Sequence, residues 1–258
     1  MWFDRHLFIY RKESAESSAE MRETMNVLAI DSSGLVATVA LQCEDILVGE
    51  YTIHNKKTHS QTLLPMIRDM MEMAGMDITE IDAIAVAAGP GSFTGLRIGA
   101  STAKGLAQAL QIPIVSVPAL EGLAYNLAGA DSLVCPLMDA RRNQAYYGIY
   151  DVSGEKPDVL SEQAAAPIEE VLEKVNNLGR PVIFIGDGVP VFREQFEKVT
   201  VPWKIGADSV RYQRASSIAA LGMLFLKQGE TMDAAAFAPI YLRMSQAERE
   251  RMNHGKAE

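Results

Sequence analysis

Residues 26–41 read NVLAIDSSGLVATVAL, and this stretch decides the fold. Two apolar, β-branched runs, NVLAI (26–30) and LVATVAL (35–41), flank the polar tetrad Asp31-Ser32-Ser33-Gly34, which is the signature of two strands joined by a turn. A turn at Glu44-Asp45 and a third run, ILVGEYTI (46–53), extend the pattern to three antiparallel strands. Leu63, Leu64, Ile67, Met70, Met71 and Ala74 then recur at helical spacing, with Thr58 or Ser60 as N-cap and Gly75 as the stop. The methionines read as core filler. AIAVAA (83–88) is an unbroken apolar run and predicts a strand covered on both faces. It leads through GPGS into a helix ending near Leu110, then to IPIVSV (112–117) and a helix near 119–128.

From residue 132 the order restarts. SLVCPLMDA (132–140), AYYGIYDV (145–152) and a short strand near 158–163 precede a helix at 167–178, VIFIG (182–186), a helix near 190–198 and a helix at 215–229. Two units that each open on strands and continue with helix and strand in alternation predict an internal duplication: an α/β fold with two mixed sheets. The boundaries follow as 25–130 and 131–243, with helix 215–229 free to pack back on the first unit. Residues 1–24 read as an extension before the first strand and 244–258 as a polar tail.

The composition limits what such a fold does. In 258 residues, 24 Lys+Arg stand against 33 Asp+Glu, a net charge of −9. Autonomous binding to nucleic acid or an anionic membrane draws on cationic surface, so RNA would be met only beside a more basic partner. No apolar run reaches the ~18–20 residues of a membrane helix. Cys43 and Cys135 are far apart and form no CxxC, which argues against a disulfide framework or thiolate zinc site and for a reducing cytoplasm.

Four features carry candidate chemistry. Asp31, Ser32 and Ser33 sit in a turn that could hold a magnesium-bound phosphate, although tight turns favour the same residues. GPGSFTGLRIG (89–99) either offers helix-start amides to an anion or is simply a tight strand-to-helix connection. It is neither a Walker loop nor a GxSxG elbow. Gly95, Gly99, Ala103 and Ala107 form a row of small residues at i, i+4 spacing, suited to close helix approach within the domain or across a subunit interface. Asp139-Ala140-Arg141-Arg142 is a basic spot on an acidic chain, a candidate contact for a partner or a phosphate. Gly186-Asp187-Gly188 reads as an ordinary strand end, and His6, His54, His59 and His254 as surface residues that bind no metal.

Together NVLAIDSSGLVATVAL, THSQTLLPMI, AVAAGPGSFTGLRIGASTAKGLA, PLMDARRNQAYYGIY and PIYLR closely resemble the bacterial TsaB (YeaZ) family, over Met25 to Arg243. The resemblance implies the actin-like, Hsp70 and sugar-kinase (ASKHA) type of fold with two related domains. It also implies a role in making threonylcarbamoyladenosine beside the anticodon of tRNAs that read codons beginning with A, together with the catalytic paralogue TsaD and the ATPase TsaE. TsaD-like chains carry a His-x-x-x-His metal pair in a segment resembling VNHLEGH. Here Ala119 and Leu123 stand in those places, and neither can ligate a metal. The resemblance therefore implies a noncatalytic partner with no metal and no cofactor of its own, ATP or ADP being held only at the interface of the complex. It implies self-association when the chain is alone and contact with tRNA only through the complex. Thr58, Leu63, Ile67 and Met70, with Gly95, Gly99, Ala103 and Ala107, are the expected partner face. An ATP-dependent kinase or acyl/carbamoyl transferase of the same fold is the alternative.

Overall fold

The computed structural model describes residues 24–55 and 57–243. The expected tail at 244–258 and the extension up to residue 23 lie outside the described residues, as do His6 and His254.

The first unit contains β1 (Asn26–Asp31), β2 (Ala37–Cys43), β3 (Ile46–Ile53), α1 (His59–Ala74), β4 (Ala83–Gly89), α2 (Phe93–Leu110), β5 (Ile114–Pro118) and α3 (Ala119–Tyr125). The second contains β6 (Leu133–Asp139), β7 (Gln144–Asp151), β8 (Asp158–Pro167), α4 (Ile168–Leu178), β9 (Val182–Ile185), β10 (Trp203–Ile205) and α5 (Ala215–Lys227). The sheets run β3-β2-β1-β4-β5 and β10-β9-β6-β7-β8. Read from opposite ends, these are one topology. In each, three antiparallel strands are followed by two parallel ones. The duplication expected from the order of elements is thus present in the pairing of the strands, and the fold is the α/β class with two mixed sheets.

AIAVAA is buried on both faces because β4 divides its side chains by size. Ile84, Val86 and Ala88 join Leu28 and Ile30 of β1 in a core beneath α1 and α2. Ala83, Ala85 and Ala87 face the other way, with Val27 and Ala29, onto α5. That face is kept small so that α5 can lie close: a Cβ at Gly222 would overlap Ala85. Glu50 on β3 ties the start of α5 to the first sheet, accepting from the Ser216 amide at 2.9 Å and from the Arg214 guanidinium. α3 is the joint between the units, with Ala119 in the core under α5 and Leu120, Leu123 and Ala124 packed on the second sheet.

Two elements differ from expectation. The segment near 190–198 forms only a 3-10 turn at Arg193–Lys198, and β10 was not foreseen, being three residues long. α1 ends as expected at Gly75, which adopts a left-handed φ of 65°. Thr58 precedes it without a capping side-chain bond.

Candidate functional site: two equivalent turns and the helix pair beside them

The first turn, Asp31 to Gly34, is packed shut. The Ser33 amide donates to Asp31 Oδ1 at 2.7 Å, the Ser32 hydroxyl donates to the Gly95 carbonyl at 2.8 Å, and the Ser92 amide donates to the Ser33 carbonyl at 2.7 Å. A Cβ on Gly91 or Gly95 would overlap the Ser33 or Ser32 carbonyl, so glycine is what lets the GPGS segment dock on this turn. Ser92 caps α2 with its own hydroxyl, accepting from the Gly95 amide at 3.3 Å. The GPGS stretch is therefore the tight strand-to-helix connection, with its turn face held by the hairpin.

Gln213, unremarked in the sequence, and His59, read there as a surface residue, complete the closure. The buried Gln213 lays its amide against Gly34, where even a Cβ would overlap it, and that amide has no hydrogen-bond partner among the described residues. His59 Nε2 lies 3.1 Å from the Gly34 carbonyl, which corrects the expectation of a merely exposed histidine. Burial pushes the Asp31 carboxyl up to about 6, against the lowering pull of the Ser33 amide and hydroxyl. A magnesium-bound phosphate needs a carboxylate and donors that it can reach, and the three side chains of this turn are 1%, 3% and 0% exposed. Asp31, Ser32 and Ser33 do not fit such a group.

The second turn holds the equivalent place between β6 and β7 and is open. Asp139 accepts from the Arg141 amide at 2.7 Å and from its guanidinium at 3.0 Å. Asp187, in the glycine turn after β9, accepts from the Asp139 amide at 3.2 Å. Burial pushes the Asp187 carboxyl up to about 6; the Asp139 amide opposes this, the Asp139 charge adds to it, and Arg141 lowers it. Gly186 is more than a strand end, since its φ of 102° and its contact with the Leu137 carbonyl exclude a side chain. Arg141, Arg142 and Asn143 are exposed and take φ values of 66°, 58° and 57°. Such left-handed backbone costs roughly 1–2 kcal/mol per non-glycine residue.

The expected partner face needs correction. Gly95 and Gly99 press on the first turn, where a Cβ at Gly99 would overlap the Ser32 hydroxyl, and Ala103 and Ala107 lie in the first core. Leu63, Ile67 and Met70 occupy that same core, leaving Thr58 alone of the eight at the surface. The periodic face of each helix is the one its own sheet covers. What remains open is a groove between α1 and α2, lined by Leu64, Phe93, Arg97, Ile98 and Ser101, with Met73 80% exposed beyond it.

At the positions of the paralogue's histidines, Ala119 and Leu123 are fully enclosed in apolar cores. The model of the family described as "TsaD: tRNA N6-adenosine threonylcarbamoyltransferase" matches residues 47–251. The tRNA threonylcarbamoyladenosine biosynthesis protein TsaB of Bacillus subtilis (strain 168) is 36% identical over 225 residues, 87% of this chain and 96% of that protein. The chain belongs to the TsaB family. Its Escherichia coli (strain K12) relative of the same name is 28% identical over 85% of this chain and 95% of the relative. The structure of YeaZ from Pseudomonas aeruginosa superposes with a TM-score of 0.73 at 29% identity, covering 84% of this chain and 100% of that one. TsaB-family membership places the chain in tRNA threonylcarbamoyladenosine biosynthesis.

Proposed function

We propose that the chain is a noncatalytic partner subunit required for threonylcarbamoylation of the adenosine next to the anticodon, in tRNAs reading codons that begin with A, and that it acts in the cytoplasm with TsaD and TsaE. The observation that carries this reading is the first turn. Its side chains are buried beneath α2 and Gln213, with Asp31, Ser32 and Ser33 at 1%, 3% and 0% exposure, so the place where this fold would hold a nucleotide phosphate is closed by packing. The enclosed Ala119 and Leu123 support it from the metal side. Any ATP or ADP belongs to the contact between subunits, and tRNA is reached through the complex.

In this reading TsaD and a second copy of the chain compete for the open side of α1 and α2. Leu64, 54% exposed and lining the groove, gives the test. Leu64→Glu leaves folding intact and weakens both self-association and TsaD binding by about tenfold or more, because an unpaired carboxylate is costly to bury. Sedimentation and a TsaD titration read this, with circular dichroism as the folding control. A folded variant with both affinities unchanged would remove the groove from the partner face. Submicromolar ATP binding by the isolated wild-type chain would favour a kinase or acyl transferase.

A further inference from the structure

We propose that the Arg141-Arg142-Asn143 turn is a contact for the RNA backbone in the assembled complex, an inference that rests on the function proposed above. Three consecutive non-glycine residues hold left-handed φ values there, and all three are exposed, so the conformation buries none of their side chains. Such backbone persists only where the surroundings impose it, and it concentrates at functional sites. Here it is imposed from behind. Asp139 accepts from the Arg141 amide, Asp187 accepts from the Asp139 amide, and Arg243 donates to the carbonyls of Ala140 and Arg141, the latter at 3.3 Å.

What the turn presents is cationic. Arg142 has no hydrogen bond or ion pair among the described residues, and the Arg141 side chain is 84% exposed, held only by Asp139. Two arginines so displayed on a chain of net charge −9 form a local exception. No large apolar side chain is exposed between Asp139 and Gln144, so the turn lacks the apolar centre that a protein interface is built around. Arg243, whose guanidinium donates to the Arg141 carbonyl, adds a third cationic side chain beside the turn. Phosphate from an RNA strand is the ligand chemistry this combination favours.

The test uses the full chain with TsaD and a fluorescently labelled, unmodified tRNA, titrated at several salt concentrations, with wild-type association with TsaD measured first. Arg142→Ala is expected to lower tRNA affinity of the assembly by about five- to tenfold at low salt and to reduce the salt slope by about one. Arg142→Lys should restore most of both, and neither change should move the melting temperature or TsaD affinity. Unchanged tRNA affinity and slope in Arg142→Glu would overturn the proposal. A loss of TsaD affinity instead would make the turn a protein contact and overturn it equally. Failure of the wild-type chain to join TsaD would defeat the proposed function itself, and this inference with it.

Discussion

The turns at Asp31–Gly34 and Asp139–Asn143 occupy the same place in two copies of one topology, each leaving the central strand of its sheet by an aspartate, and they have opposite fates. The first is a packing element: α2, Gln213 and His59 all close on it, and its aspartate is buried. The second is a display element, supported from behind by Arg243 and Asp187 and exposed in front. A duplicated scaffold supplies equivalent positions without fixing their use. What decides is the neighbour on the following glycine turn. Gly91 and Gly95 let α2 descend onto Ser32 and Ser33, whereas Gly186 and Gly188 settle against Leu137, further back along β6, and leave Arg141 to Asn143 free.

Enlarging the closed turn should have the largest effect. Gly99→Leu is expected to cost about 3 kcal/mol or more, since the new side chain drives into Ser32 where even a Cβ overlaps. Arg142→Ala in the open turn should stay within about 0.5 kcal/mol. Urea melts followed by circular dichroism compare the two, and equal midpoints would erase the distinction between the turns.

A smaller, pH-dependent effect separates the buried aspartate. Burial raises the folded-state pKa of Asp31 to about 6, above the ordinary aspartate value of 3.8, so between those values the folded chain holds more protons than the unfolded one. Stability from this group is present below about pH 4 and is lost as pH rises through 6. Asp31→Asn should therefore gain on the wild type by roughly 2–3 kcal/mol between pH 4.5 and 7.5. A flat difference in unfolding free energy across that range would mean that Asp31 ionises freely and that the turn is solvated.

Much of this was legible beforehand. The apolar, β-branched runs of β1 and β2 around a polar turn, the glycine stop at Gly75 and the restart at residue 132 each had a local cause, so the strands and the duplication could be read from them. The orientation of α1 and α2 could not. A row such as Gly95, Gly99, Ala103 and Ala107 looks the same whether a sheet or another subunit covers it, and only the docking of Ser32 decides. Gln213 was invisible for a different reason: a lone glutamine about 180 residues from Gly34 carries no local signal of what it will lie against. β10 was too short to show a period and takes its place by pairing with β9.

The central claim, a partner subunit that enables a reaction it does not catalyse, meets its most direct test in reconstitution. Purified TsaD and TsaE, with threonylcarbamoyl-AMP and unmodified tRNA, are assayed for threonylcarbamoyladenosine with the chain present, absent, and alone with the tRNA and the activated donor. The account predicts no product from the chain alone and at least about a tenfold fall in rate when it is omitted, the loss expected when binding energy of about 1.4 kcal/mol or more is withdrawn from the transition state. Modified tRNA formed by the chain alone, or an undiminished rate without it, would contradict the account.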